Sequence, residues 1–107
     1  MSADCVLVLT TLPASADAEA FAARLVDERL AACVNILPPM ESVYRWTDRI
    51  EREAERQLVI KTTREQVAAL EHRLRTLHPY ELPEFLVVAA EGGAAAYLEW
   101  VAAEVKS

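Results

Sequence analysis

Glycine is scarce in this chain: it occurs only twice among 107 residues, and the two glycines, Gly92 and Gly93, are adjacent. A loop that cradles phosphate groups needs several glycines at fixed spacings, so the sequence excludes nucleotide-binding loops of the Walker and Rossmann types. Aromatic residues are also few, at 7%, and the central apolar stretches carry none of the aromatics on which RNA bases stack. No G-x-S-x-G segment and no nucleophile–base pair is visible, so we expect a protein that is not an enzyme.

Basic residues are also scarce relative to acidic ones. The 11 basic residues stand against 17 acidic ones, which gives a formal net charge of −6. Such a surface repels phosphate backbones and anionic lipid headgroups, so we expect neither nucleic acid nor a membrane as a partner. No apolar run approaches the roughly 18 residues that a membrane-spanning helix requires, which indicates a soluble protein.

Cysteine is equally rare. The two cysteines, Cys5 and Cys33, do not have the C-x-x-C spacing of redox or metal motifs. The first residues also lack the basic region with which an export signal begins. We therefore expect a cytoplasmic protein in which both thiols are reduced.

Apolar residues, by contrast, are plentiful at 53% of the chain. This content is too high for a disordered chain and is enough for the core of one domain over residues 1–107. The apolar pattern then predicts the order βαββαβ followed by a last helix. Four strands are predicted: Cys5–Thr10, a long second strand over Cys33–Leu37 that resumes at Ser42–Trp46, the returning strand Gln57–Lys61, and Phe85–Ala90. Helices are predicted from an N-cap at Ser15 to about Ala31, from a capping box at Thr63 and Gln66 to His78, and over Ala94–Lys106.

The second and third strands are predicted to form a long hairpin. Pro38 and Pro39 cannot donate to a strand ladder, so we expect a kink or bulge there. Thr47 and Asp48 are typical of a tight turn, and the charged residues 49–56 are interpreted as a solvent-facing arm of the hairpin. The whole order is that of the ferredoxin-like α+β fold, in which helices cover one face of an antiparallel sheet.

Two predicted strands, Cys5–Thr10 and Phe85–Ala90, are apolar on both faces. A sheet with one solvated face should alternate between apolar and polar residues. Three short helices cannot cover both faces of the sheet, so we expect a second copy of the chain to cover the other face.

One segment concentrates chemistry-bearing side chains. It reads His78-Pro79-Tyr80-Glu81-Leu82-Pro83-Glu84, so two prolines stiffen a loop that carries an imidazole, a phenol and two carboxylates. Imidazole nitrogen together with carboxylate oxygen suits Cu²⁺ or Zn²⁺. The alternative is that His78 binds the last carbonyls of its own helix while Glu81 and Glu84 are merely solvated. His72 lies off the apolar stripe of its helix and is interpreted as a surface residue.

These segments together resemble the CutA divalent-cation-tolerance family. The resemblance runs from about Val6 to Val105. It is carried, in order, by Ala31-Ala32-Cys33-Val34-Asn35-Ile36, Ser42-Val43-Tyr44-Arg45-Trp46, Lys61-Thr62-Thr63, His78-Pro79-Tyr80-Glu81-Leu82-Pro83-Glu84 and Tyr97-Leu98-x-Trp100.

The resemblance implies a ferredoxin-like subunit, similar to the PII signalling proteins, that assembles into a homotrimer through the long second and third strands. Tyr44 and Trp46 are then expected at the interface between subunits. It also implies a role in tolerance to divalent metals, copper above all, with no organic cofactor and no catalytic reaction.

Two positions depart from the family members that are discussed as copper binders. Thr10 and Leu77 stand where those members can carry a cysteine and the first histidine of a doubled pair. His78 with Glu81 remains as the predicted metal site, so we expect Cu²⁺ or another divalent cation to be held weakly. Asp48 also stands where the turn usually has glycine, and aspartate tolerates a left-handed conformation.

A second hypothesis comes from the PII-like side of the resemblance. The trimer would sense a small molecule or a partner in the clefts between its subunits. The candidate polar contacts are Arg45, Lys61, Tyr80 and Glu84.

Overall fold

Five strands form one antiparallel sheet, which the computed structural model describes over residues 4–106. The strands are β1 (Cys5–Pro13), β2 (Cys33–Ile36), β3 (Met40–Trp46), β4 (Arg49–Thr63) and β5 (Leu86–Ala89). The helices are α1 (Ala18–Asp27), α2 (Val67–Leu77) and α3 (Ala95–Glu104), with a 3₁₀ turn over Arg64–Gln66. The strand order β2-β4-β1-β5, with β3 extending the pairing along β4, confirms the ferredoxin-like α+β fold.

The two faces of this sheet have different environments, because successive side chains of a strand point to opposite faces. On the helix face, Val6 and Val8 of β1 are fully buried with Ile60 of β4 against α1 and α2. Each such aliphatic side chain stabilises the fold by about 1.5–3 kcal/mol. On the open face, Leu7 and Leu9 are only half-buried.

Helix α3 covers one end of the open face. Its Val101 packs with Cys5 and Ala32, and burial raises the pKa of the Cys5 thiol. The ammonium of Lys61 lies 5.8 Å from the centre of the Tyr97 ring at the same end. The helices described in residues 4–106 leave the rest of the open face uncovered, as the strands with two apolar faces predicted. None of the helices described in residues 4–106 is long and apolar enough to cross a membrane.

Pro38 and Pro39 divide the long predicted second strand into two strands, since β2 ends at Ile36 and β3 begins at Met40. At the break the Leu37 amide donates to the Gln57 carbonyl at 2.9 Å, and Arg56 Nε donates to the Leu37 carbonyl at 3.0 Å. Strand β4, which is 15 residues long, continues unbroken past this point. The charged residues 49–56 therefore form the predicted arm of the hairpin.

The hairpin turn has positive φ at both central residues, 48° at Thr47 and 63° at Asp48. This is the pattern of a type I′ turn, which favours Asn-Gly. A β-branched residue such as Thr47 is strained in this region. We expect the double replacement Thr47→Asn and Asp48→Gly to raise the free energy of unfolding by about 1 kcal/mol. Urea unfolding at matched protein concentration measures this, and an unchanged or lower stability would show that the turn is not strained.

The beginning of α1 differs from the prediction. The N-cap is Asp17, whose Oδ1 accepts a hydrogen bond from the Ala20 amide at 3.0 Å, and not Ser15. Both residue types are good N-caps. Ser15 lies in the turn after β1, because the Ala16 amide donates to the Pro13 carbonyl and the chain has not yet entered the helix there.

The end of α1 also differs, since the helix stops at Asp27 and not near Ala31. Arg29 has φ of 60°, and the Leu30 amide donates to the Leu25 carbonyl at 3.0 Å. These are the features of a Schellman motif, which terminates a helix through one left-handed residue. Arginine in the place of the usual glycine hides this signal in the sequence.

The predicted capping box at Thr63 and Gln66 is wrong. Thr63 makes no side-chain capping bond, and its Oγ1 is buried without a hydrogen-bond partner in the described part of the chain. Gln66 Nε2 donates instead to the Lys106 carbonyl at 2.7 Å. A tertiary contact to the chain after α3 therefore replaces the local one, and a 3₁₀ turn precedes α2.

The remaining boundaries are close to the predicted ones. Strand β1 continues three residues beyond Thr10, to Pro13, while β5 and α3 are shorter than predicted at both ends. Helix α2 ends at Leu77, just before His78 and Pro79, because proline cannot continue a helix.

Candidate functional site

A cleft of about 720 Å³ lies between the β3–β4 hairpin and the loop that follows α2. Strand β3 lines it with every second side chain, because these share one face of the strand. The lining residues are Met40, Ser42, Tyr44 and Trp46 of β3, Glu55 and Gln57 of β4, Thr11 of β1, and Pro79–Glu84 of the loop. The cleft therefore joins two of the segments that the sequence analysis selected.

His78 sits behind this cleft, where the end of α2 meets β1. Its ring is only 7% exposed and packs edge-on against Phe21. The Tyr80 amide donates to Nδ1 at 3.0 Å, and Nε2 lies 2.7 Å from the Thr11 carbonyl. Because Nδ1 accepts, the ring proton is on Nε2 and is donated to Thr11. Burial lowers the pKa of His78, since it disfavours the charged ring.

These contacts bear on both hypotheses for His78. The ring does not bind the last carbonyls of its own helix; its partner is Thr11 on β1. Both nitrogens are engaged, so a metal ion could reach one only after a hydrogen bond opened. Within residues 4–106 no group of three or more His, Cys, Asp or Glu side chains is placed to hold a metal ion. The metal site of His78 with the exposed Glu81 stays a prediction.

Glu55 is the functional candidate that the sequence analysis missed. The charge pattern predicts it in the solvent-facing arm, but it is only 7% exposed and lines the cleft. The Tyr80 hydroxyl donates to Glu55 Oε2 at 2.7 Å. Burial, this hydrogen bond and the charge of Glu55 together raise the pKa of Tyr80. The burial of Glu55 follows from strand register, since Glu55 pairs with Pro13 of β1 on one side and with Met40 of β3 on the other.

Glu84 closes the other end of the loop. Gln57 Nε2 donates to Glu84 Oε2 at 2.8 Å and also to the Thr10 carbonyl at 2.9 Å. The loop is thus fastened to the sheet at both ends, through Tyr80 and through Glu84. The carboxylate of Glu84 is thereby held in place beside the cleft.

The other predicted residues fall in two groups. Tyr44 and Trp46 are exposed and form the outer wall of the cleft. Arg45 lies between them on the opposite face of β3, and Lys61 is at the α3 end of the sheet, so neither is among the residues that line the cleft. Of the four predicted ligand contacts, the cleft brings together Tyr80 and Glu84.

The fold and the site define a class: ferredoxin-like α+β proteins with a long hairpin and a polar cleft at its base. Within that class, the chain belongs to the family of the CutA1 divalent ion tolerance protein, whose family model matches residues 6–104. Curated relatives include a divalent-cation tolerance protein CutA of Thermus thermophilus, 41% identical over 89% of this chain and 92% of that protein. Another, from Pectobacterium atrosepticum, is 40% identical over 96% and 94%.

Solved structures agree with this assignment. CutA1 from Oryza sativa superposes with a TM-score of 0.94 at 34% identity, covering 98% of this chain and 96% of that one. CutA from Xylella fastidiosa gives a TM-score of 0.92 at 45% identity, covering 96% and 99%. The resemblance stated from the sequence motifs is thereby confirmed.

Proposed function

We propose that this chain acts in divalent-cation tolerance as the subunit of a cytoplasmic homotrimer, and not as an enzyme. The observation that carries the assembly is the uncovered apolar surface of the open face. Leu86 and Val88 of β5 are 56% and 44% exposed beside the half-buried Leu9 and Leu7 with which they pair. A contiguous apolar patch of this kind marks an interaction site.

The hairpin supports the same proposal. Apolar side chains are exposed on both of its faces, with Tyr44 and Trp46 on one and Val43 and Ile50 on the other. The subunit is elongated, with extents of 47 × 26 × 24 Å. A long arm with apolar residues on both faces is suited to reach over a neighbouring subunit, where aromatic residues anchor interfaces. Tyr44 and Trp46 then border a cleft between two subunits that stays open to a small ligand.

We further propose that Cu²⁺ or another divalent ion binds weakly in the cleft. The exposed carboxylate of Glu81 is the most accessible ligand, with Glu84 beside it in the same loop. His78 joins the site only where its hydrogen bond with the Tyr80 amide opens. A neighbouring subunit supplies the remaining ligands, because residues 4–106 of one chain bring too few ligands together.

Calorimetric titration with Cu²⁺ at pH 7.5 tests the metal site. We expect Glu81→Gln to weaken binding several-fold, because the substitution removes a ligand oxygen's charge while keeping the shape of the side chain. Two controls, Glu99→Gln on the exposed surface of α3 and His72→Ala on α2, should bind like the parent. Equal binding by Glu81→Gln and the parent would remove Glu81 from the site.

The pH dependence of the titration separates the two kinds of ligand. Imidazole must be neutral to coordinate a metal ion. If His78 is a ligand, the affinity for Cu²⁺ should therefore decrease as the pH falls to about 6.5 and below. Binding by carboxylates alone should persist to about pH 4–5. If the ring is a ligand, His78→Gln should remove this decrease in Cu²⁺ affinity.

A second function, sensing of a small ligand by a PII-like trimer, is favoured by the cleft itself. Its volume of about 720 Å³ lies within the range of about 300–1,000 Å³ for small-molecule sites. Tyr80 and Glu84 are the predicted contacts that line it.

A further inference from the structure

We propose that the cleft binds an organic cation, a primary ammonium or guanidinium group on a short apolar stem. The inference goes beyond the metal-tolerance function, because it rests on aromatic walls and a buried carboxylate that a metal ion does not use. It concerns the same cleft, so its test is kept independent of metal binding.

The charge of the cleft is the first argument. The titratable side chains of its lining are three carboxylates, Glu55, Glu81 and Glu84, and two tyrosines, with no lysine, arginine or histidine among them. Glu55 is more than nine-tenths buried and forms no salt bridge within residues 4–106. Its hydrogen-bond donor there is the neutral Tyr80 hydroxyl, and a buried carboxylate without a positive partner is costly. A bound cation would provide that partner.

The same sign of charge continues toward the mouth of the cleft. Strand alternation places Glu51 and Glu53 on the face of β4 that also carries Glu55. Burial and then the negative charges of Glu53, Glu51 and Glu55 raise the pKa of Tyr44 on the adjacent strand. The same face carries one positive side chain, Arg49 opposite Trp46. Three carboxylates against one guanidinium leave this face with a net negative charge, which attracts cations and disfavours phosphate or carboxylate ligands.

The walls of the cleft suit an organic cation better than a bare metal ion. Three aromatic side chains, Tyr44, Trp46 and Tyr80, line it together with Met40 and Leu82. Aromatic faces attract ammonium and guanidinium groups and pack against an alkyl stem. A bare metal ion gains little from such walls, and no three ligating side chains converge here in residues 4–106. The carboxylates instead accept the N–H donors of the ligand's head group.

The test is a titration of the assembled protein with n-pentylammonium chloride, followed by NMR of the two tryptophan indole N–H groups at constant ionic strength. Trp46 lines the cleft, whereas Trp100 lies on α3 outside it and serves as an internal control. We expect a saturable shift of the Trp46 signal with the amine, no comparable shift with uncharged n-pentanol, and an unmoved Trp100 signal.

Two isosteric variants localise the charge. Glu55→Gln should weaken binding of the amine about tenfold, which corresponds to the loss of about 1.4 kcal/mol, because it removes the buried charge while the amide oxygen can still accept from Tyr80. Glu99→Gln should bind like the parent. Sedimentation of both variants must show the parent's assembly, so that a changed affinity reports the cleft.

Three results would overturn the inference: equal shifts with pentanol and pentylammonium, no saturable shift of Trp46, or unchanged affinity in Glu55→Gln. The Cu²⁺ titration is separate and depends on Glu81. Metal binding without amine binding would remove this inference and leave the proposed function. Amine binding without metal binding would keep this inference and remove the proposed metal site.

Discussion

Replacing Val88 by glutamate is expected to convert the proposed homotrimer into monomers at micromolar concentration. Val88 is 44% exposed on the edge strand β5 of a single chain, so the substitution costs the isolated subunit little. In the assembly it would place a charge in an apolar interface, at several kcal/mol for each ion. The penalty applies once in every subunit. Analytical ultracentrifugation of the variant and the parent measures the change in mass.

The chain offers a matched control for this variant. Val26 is also a valine and is 41% exposed, but it lies on α1, on the far side of the sheet from the open face. Val26→Glu should therefore sediment like the parent. Loss of assembly in both variants would indicate general destabilisation, and retention in Val88→Glu would show that β5 lies outside the interface.

Replacing His78 by alanine is expected to lower the free energy of unfolding by about 3 kcal/mol. The substitution empties a buried site beside Phe21 and removes the hydrogen-bond partners of the Thr11 carbonyl and the Tyr80 amide. Urea unfolding at fixed protein concentration measures the loss. His72→Ala on the exposed surface of α2 is the control and should change stability little.

The same histidine should make stability depend on pH. Burial lowers its pKa in the folded state below the ordinary value of about 6.5. The unfolded chain therefore takes up a proton at a higher pH than the folded chain does. Stability should fall as the pH drops below about 6.5. It should continue to fall until the pH is below the pKa of His78 in the folded chain. His78→Gln should have a weaker dependence in this window; an unchanged dependence would mean that other groups cause it.

The fold could be predicted from the sequence because its signals are local. Apolar strand residues, the proline pair at 38–39 and the stop at Pro79 each act on their own segment of chain. The ends of α1 were missed because two neighbouring residues were equally good caps and because arginine hides the left-handed end of the helix. At the start of α2 a distant contact decides the local structure, since Gln66 bonds to the Lys106 carbonyl and not within a capping box.

The site could be predicted only in part for the same reason. The loop from His78 to Glu84 concentrates unusual residues, so composition reveals it. Glu55 is 25 residues before Tyr80 and sits in a run of charges that is typical of solvent-facing strands. Its burial follows from the pairing of Glu55 with Pro13 on one side and Met40 on the other, which only the register of the assembled sheet determines.

The central claim is that the uncovered open face is the contact surface of a homotrimer, and the mass of the unmodified protein in solution tests it most directly. Sedimentation equilibrium at micromolar concentration should give three times the 11.9 kDa of the chain, with little dissociation on dilution. A mass near 11.9 kDa under these conditions would contradict the claim, since the apolar face would then be stable in water without a partner.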